Sequence, residues 1–281
     1  TDANGCIDSD DVLVDILNVD IVQNDTSICE GESITLDATS NVPTFNPTQT
    51  MHLVPSEYAT IQLAIDAASD GDTVLVSPGI YNEAINLKGN SIKLASEYLT
   101  TNDTSYISST IIDGTNLINE DIIGVINGED STTLISGFSL KNGNFTTWGR
   151  SGVLVGSSSN VTLDHLIIEN IYSDGQGPGI FINGSSVVNI TNCIIRNNQS
   201  ATDGGGIYIE NSEVDINYCE VKNNLSNNQS GHGGGISIWN NSLVKIKYSK
   251  ISNNSSHTGG GIYAYQSVNE LKFSEITKNI A

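Results

Sequence analysis

The chain has 281 residues, with 11 Lys and Arg against 32 Asp and Glu, a formal net charge of −21 at pH 7. That excess of acid repels polyanions, so no nucleic acid and no anionic membrane surface is expected as a partner. The hydrophobic content of 37% lies in short alternating Ile, Val and Leu runs that suit strands, and no run of about 18 apolar residues is present for membrane insertion.

The charge is uneven: residues 1–87 hold 15 acids and no base, whereas 88–281 hold 17 acids and 11 bases. The chain opens on Thr1-Asp2-Ala3-Asn4 without Met, a basic stretch or an apolar core of a signal peptide. Its richness in Asn, Gly, Ser and Thr fits an extracellular setting. The expectation is an internal piece of a larger secreted or cell-surface protein, covalently continuous with further domains. Asn279-Ile280-Ala281 stands where another Gly-Gly-Gly-Ile is due, so truncation at the C-terminus is expected too.

Residues 1–40 read as short strands at Val12–Ile16, Ile21–Val22 and Ser33–Ala38. Asn4-Gly5-Cys6 before an acidic strand resembles the end of an immunoglobulin-like repeat of large secreted Bacteroidota proteins. Ile28-Cys29-Glu30-Gly31-Glu32-Ser33-Ile34-Thr35-Leu36 resembles the start of the next. The resemblance implies that Cys6 and Cys29 belong to different domains; pairing with each other or remaining free are the alternatives. Asp8, Asp10 and Asp11 lack the loop glycine and terminal Glu of an EF-hand, so they read as a solvated acidic turn rather than a calcium site. No metal site and no cofactor is expected, with calcium the one alternative and no residue pattern in its support.

Residues 41–50, with two prolines and no charge, have linker composition, and a second domain is expected over 51–281. Tyr58 to Ser69 places Tyr58, Ile61, Ala64, Ile65 and Ala68 on one helical face. A stack of coils needs a lid over its first open end, and this helix is placed to supply it. Ile61-Gln62 to Ala67-Ala68, followed by Gly71-Asp72-Thr73-Val74-Leu75-Val76-Ser77-Pro78-Gly79-Ile80-Tyr81-Asn82-Glu83, resembles the opening stretch of pectin-lyase-like right-handed parallel β-helices. The fold class expected is therefore all-β: a right-handed parallel β-helix with an N-terminal capping helix, preceded by a short β-rich segment.

Residues 177–279 repeat one unit. Gly177-Pro178-Gly179-Ile180, Gly204-Gly205-Gly206-Ile207, Gly233-Gly234-Gly235-Ile236 and Gly259-Gly260-Gly261-Ile262 each open a strand, and a looser copy begins at Gly152. Fixed periods of this size mean stacked units that cannot bury their apolar faces alone. Strand alternation predicts inward columns Val153, Ile180, Ile207, Ile236, Ile262 and Val155, Ile182, Ile209, Ile238, Ala264. Each copy closes on asparagine at Asn198, Asn224, Asn254 and Asn279, with Asn170 closing the looser one. These predict a ladder of stacked amides in left-handed corners. Cys193 and Cys219 share a column with Leu166, Ser249 and Ser274, either as small buried side chains or as a bridge between coils.

Binding chemistry falls to the outward columns, Leu154, Phe181, Tyr208, Ser237, Tyr263 and Gly156, Asn183, Glu210, Trp239, Tyr265. Phe181, Tyr208, Trp239, Tyr263 and Tyr265 make a row of aromatic faces suited to a polysaccharide or cell-surface glycan, or to packing under a loop. For catalysis the candidates are Arg196, Lys222 and His232, as the base of a polysaccharide lyase. A lyase of the resembled fold needs a carboxylate cluster for calcium beside that base, and none lies in register with them. The paired aspartates of a polygalacturonase are missing around Gly231-His232-Gly233. The Asn-Asn, turn, Gly-Gly-Gly-Ile unit also resembles, in style, the repeats of polymorphic outer-membrane adhesins, although Ile195, Val221, Ile251 and Ile276 stand where those carry Phe. Two functions are expected: a non-catalytic extracellular rod for adhesion, display or glycan binding, and, as the alternative, a polysaccharide lyase acting on an acidic polysaccharide.

Overall fold

In a computed structural model, the described residues are Val19–Ile21, Ala38–Ser40 and 49–281 apart from Asn119 and Trp148. The chain divides into two compact units, Thr1–Gln49 and Thr50–Ala281. In the first, Val19–Ile21 pairs antiparallel with Ala38–Ser40. Val12–Ile16, Cys6, Cys29 and the Asp8, Asp10, Asp11 turn lie outside the described residues.

The second unit is a right-handed parallel β-helix. Each coil contributes one short strand to each of three parallel sheets of nine, eight and seven strands, and some coils add a strand to a fourth sheet of four. The nine-stranded sheet runs from Met51–Val54 to Val268–Lys272, the eight-stranded from Gly79–Tyr81 to Glu275–Thr277, and the seven-stranded from Ile85–Asn86 to Ile262–Ala264. The strands are two to five residues long because each face of the coil is only as wide as one short apolar run. Alternation then sends every second side chain inward, where Ile190, Ile195, Ile207 and their stacked neighbours are fully buried. The register matches the expected columns, Val153↔Ile180↔Ile207↔Ile236↔Ile262 and Val155↔Ile182↔Ile209↔Ile238↔Ala264. Ile262 is half-buried and Ala264 exposed because the last coil is covered on one side only.

The capping helix, α1, spans Ile61–Ala67, shorter than Tyr58–Ser69. Thr60 Oγ1 accepts from Leu63 N–H (3.2 Å), and Glu83 accepts from the N–H groups of Ile61 and Gln62 (both 2.9 Å). Those bonds satisfy the free donors of the first turn and fix the start of the helix. At the other end Asp72 takes the Ser69 N–H (2.9 Å), which holds the chain out of the helix. Ile61, Ala64 and Ile65 point into the core and close the first coil. Two short helices were not expected, α2 at Tyr98–Thr101 and α3 at Ser105–Ser109. They form an excursion between the first two sheets, and their apolar content is too small to give a helical period; α3 buries only Ile107.

The asparagine ladder is present, with its two tasks divided between adjacent residues. Asn198, Asn224, Asn254 and Asn279 pass hydrogen bonds from coil to coil: Asn198 Nδ2 donates to Asn224 Oδ1 (3.1 Å), Asn224 Nδ2 to Asn254 Oδ1 (3.0 Å) and Asn254 Nδ2 to Asn279 Oδ1 (3.0 Å). The left-handed corner instead falls on the preceding residue, Asn197 (φ 55°), Asn223 (56°) and Asn253 (56°). Asn170 (φ 58°) belongs to that corner column and not to the ladder, where Ile171 stands in its place and donates its N–H to Asn198 Oδ1 (3.1 Å).

Cys193 and Cys219 are free thiols, both buried. Their column is a second side-chain ladder: Leu166 N–H donates to Cys193 Sγ (3.4 Å), Cys219 N–H to Ser249 Oγ (3.1 Å) and Ser249 N–H to Ser274 Oγ (3.1 Å). Each thiol donates in turn to a carbonyl two residues back, Thr191 O (3.1 Å) or Asn217 O (3.2 Å), as Ser249 does to Lys247 O (2.9 Å). Sulfur thus does the work of a serine hydroxyl in this turn.

Candidate functional site

The glycine triplets place the outward aromatic columns. Gly204 (φ 62°) turns the chain, and Gly206 brings two coils so close that a Cβ there would lie 2.7 Å from Gly235 O and 2.9 Å from Asn224 Nδ2. The turn ahead of each triplet consequently folds back over the outer face of the strand that follows.

That folding corrects the expectation for two of the five aromatic residues. Phe181 and Tyr208 stack face to face (5.2 Å between centroids, 6° between planes) but are only 8% and 5% exposed. The turns carrying Gly177 and Gly204 pack on the Cβ of Tyr208, whose ring is stacked on Phe181 and buried, out of reach of a ligand. Burial, with Glu210 and Asp203 nearby, pushes the Tyr208 hydroxyl well above the ordinary phenol range. Phe181 keeps one edge on a shallow groove of about 460 Å³ that it lines with Leu154, Gln176 and Asn183.

Trp239, Tyr263 and Tyr265 remain accessible, and His232 joins them. Ser237 replaces an aromatic residue in the column, and the space lets Trp239 lie back, its Nε1 donating to Ser237 Oγ (2.8 Å). Trp239 then meets Tyr263 at 5.1 Å and Tyr265 at 5.5 Å, both rings tilted. His232 sits 4.3 Å from Tyr263 and edge-on to Trp239 at 5.3 Å. Asp203, one coil away, accepts from both His232 N–H (2.8 Å) and His232 Nδ1 (2.9 Å), which fixes the ring and leaves Nε2 without a hydrogen bond to a described residue. On the rim, Glu210 accepts from Asn240 Nδ2 (2.7 Å). The result is an open shelf of three aromatic rings and an oriented imidazole, bordered by two carboxylates.

Arg196 and Lys222 lie elsewhere, adjacent in the eight-stranded sheet. Glu169 is in register with Arg196, and its Oε2 holds both Nε and Nη2 at 2.7 Å. Lys222 Nζ lies 2.7 Å from Glu220. Both side chains are thus engaged with a carboxylate of their own sheet. Arg150, the other arginine of the chain, reaches Asp121 Oδ2 (2.9 Å). Burial raises the Asp121 carboxyl, and the bonds from Ser151 and Arg150 offset only part of that rise. Among the described residues, no three His, Cys, Asp or Glu side chains gather as a metal site.

Sequence reasoning missed a third group of aromatic residues. Tyr218, Tyr248 and Phe273 stack at 5.0 and 5.1 Å with planes 6° and 8° apart. They directly precede Cys219, Ser249 and Ser274, so the column was readable once the cysteine–serine column had been drawn. His165 and Asn192 occupy the same position in the two earlier coils. His165 Nδ1 donates to Asp164 Oδ2 (2.7 Å), while its Nε2 accepts from the Tyr98 hydroxyl (3.0 Å), which ties α2 to the coil.

The three parallel sheets, the amide ladder and the helical lid define a right-handed parallel β-helix protein of pectin-lyase-like fold. Residues 108–281 match the family described as the right handed beta helix region, and the chain belongs to that family. No curated protein matches the chain. Among solved structures it is similar to the pectin methylesterase from Aspergillus niger in deglycosylated form, at 14% identity over 82% of this chain and 86% of that one, with a TM-score of 0.48. The pectin methylesterase from Yersinia enterocolitica matches at 10% identity over 80% and 94%, with a TM-score of 0.43. The carrot pectin methylesterase matches at 12% over 84% of each chain, with a TM-score of 0.38.

Proposed function

We propose that this β-helix is a non-catalytic, glycan-binding rod of a larger secreted or cell-surface protein, serving adhesion or display. The observation that carries the reading is the shelf of Trp239, Tyr263 and Tyr265 beside the fixed His232. Flat rings offer apolar faces to the C–H side of a sugar, and His232, Glu210 and Asn240 supply donors and acceptors for its hydroxyls. The reading calls for no metal and no cofactor. Further support is that Arg196 and Lys222 are committed to Glu169 and Glu220.

Binding to a glycan array, followed by titration calorimetry on the best ligand, tests this. Trp239→Ala and Tyr263→Ala are each expected to weaken binding at least tenfold, about 1.4 kcal/mol, with the melting temperature held. Binding indifferent to both changes, or no binding to any glycan, overturns the reading. The oriented imidazole favours one alternative, a lyase acting on an acidic polysaccharide with His232 as base, because Asp203 holds Nδ1 and leaves Nε2 for a proton. Ultraviolet detection of unsaturated uronate products on pectate, alginate and glycosaminoglycans, lost in His232→Ala, would establish that alternative in its place.

A further inference from the structure

A second surface lies at a different corner of the coil, where the nine-stranded sheet turns into the eight-stranded one. There Tyr218, Tyr248 and Phe273 form an unbroken stack across three coils, 61%, 49% and 76% exposed. All three hold left-handed backbone, at φ 56°, 51° and 50°. Bulky side chains avoid that region, whereas Asn enters it readily. Asn192 takes the same turn one coil earlier at φ 54°, and the corner after the eight-stranded sheet uses Asn at 197, 223 and 253. The fold therefore accepts Asn here, yet three coils in succession carry a strained aromatic ring that burial does not repay. Strain maintained at an exposed position points to a task outside folding.

The stack also restricts what it can hold. Both faces of Tyr248 are covered by its neighbours, so its exposed part is the ring rim with the hydroxyl. Neither the Tyr218 nor the Tyr248 hydroxyl bonds to another described residue. A groove of about 760 Å³ runs beside the rings, lined also by Asn192, Glu220, Lys250 and Glu275. The carboxylates that border the stack already hold cations: Glu220 holds Lys222 (2.7 Å), Glu275 holds Lys250 (3.2 Å) and Glu270 holds Lys272. Lys247 alone among the flanking lysines makes no ion pair with a described residue. Lys247 still acts on the nearby Glu270 carboxylate, and a charge-balanced border within a chain of net charge −21 is suited to an uncharged ligand.

We infer that the Tyr218–Tyr248–Phe273 stack and its groove form a second binding site, for a neutral, extended polysaccharide lying along the rod. The ring spacing is close to the length of one hexose, so successive sugars meet successive coils. Their hydroxyls bond to the two phenols and to the bordering Glu–Lys pairs. This site stands on its own observations and does not depend on the Trp239 shelf.

The test replaces the stack with the residue the turn prefers, Tyr218→Asn, Tyr248→Asn and Phe273→Asn together. Affinity electrophoresis is run in gels containing xyloglucan, mixed-linkage β-glucan or galactomannan, and in gels containing polygalacturonate or heparin. The expected result is retardation by a neutral polymer, reduced at least tenfold in the triple variant, with a melting temperature equal to or above that of the parent. Trp239→Ala is expected to retain binding through the stack, which separates this site from the shelf. Three results overturn the inference: no retardation by any neutral polymer, retardation unchanged in the triple variant, or preferential retardation by the anionic polymers. A lower melting temperature with binding unchanged assigns the stack to stability alone and also overturns it.

Discussion

Replacing Asn224 by Ala removes the middle rung of the amide ladder. Its Nδ2 donates to Ile195 O and Asn254 Oδ1 (both 3.0 Å), and its Oδ1 accepts from Asn198 N–H (3.0 Å) and Asn198 Nδ2 (3.1 Å). Asn224 is 1% exposed, so water does not replace these partners. After the change Asn198 N–H loses its acceptor, the Ile195 carbonyl loses a donor, and Asn198 Nδ2 keeps only Ile168 O (3.0 Å). An unsatisfied buried polar group costs about 1–3 kcal/mol. One such group, Asn198 N–H, and three that each lose one of two partners (Ile195 O, Asn198 Nδ2 and Asn254 Oδ1) give a loss of roughly 2–4 kcal/mol on that scale. For a unit of this size a loss of that order lowers the melting temperature by on the order of 10 °C. The control is the adjacent Asn223 (φ 56°), where Gly fits the corner and Asn223→Gly is expected within about 1 kcal/mol of the parent. Urea titration followed by circular dichroism reads both the midpoint and the slope, and an unchanged slope shows that the same unit unfolds. A cost below about 1 kcal/mol for Asn224→Ala, on the per-group scale used above, refutes the assignment of stability to the ladder. A larger cost for Asn223→Gly than for Asn224→Ala refutes the division of roles between the two residues.

Gly206→Ala drives a Cβ against the backbone oxygen of Gly235, and overpacking against main chain is expected to cost about 2–3 kcal/mol, read by the same titration. For Asp164, burial alone would raise the carboxyl, but bonds from His165, Asn192 and Thr191 hold it below the ordinary value of 3.8. A depressed acid adds stability that is fully present above 3.8 and is lost as pH falls through the lower folded value; thermal melts of the parent and Asp164→Asn should therefore converge in strong acid. Arg196→Ala breaks a half-exposed pair with Glu169 and is expected to cost no more than about 1 kcal/mol and to leave glycan binding unchanged.

The fold was legible because it repeats. A column such as Ile180, Ile207, Ile236 can be drawn from spacing alone, and the register agrees residue by residue. The site was legible only in part, since a strand pattern tells which way a side chain points but not what a turn lays over it. Phe181 and Tyr208 point outward as drawn and are nonetheless covered, Tyr208 beneath the turns that carry Gly177 and Gly204. Trp239 was found by its column, whereas its contact with His232 depends on Asp203 one coil away, a pairing that no local pattern carries. The Tyr218 stack is not legible from strand alternation, because an aromatic residue at positive φ sits at a corner outside the strands and leaves no periodic apolar signal.

Among the repeats of 177–279 the coils differ in length mainly in one turn. From Asn224 to Ile236 the chain takes 12 residues, against 9 from Asn198 to Ile207 and 8 from Asn254 to Ile262. The long turn is the one that carries His232 to the shelf, and the ladders on either side hold their registers regardless. Insertions and deletions in that turn are therefore insulated from the core. Descendants of such a gene could change what the rod grips by lengthening one turn, without renegotiating the packing of any coil.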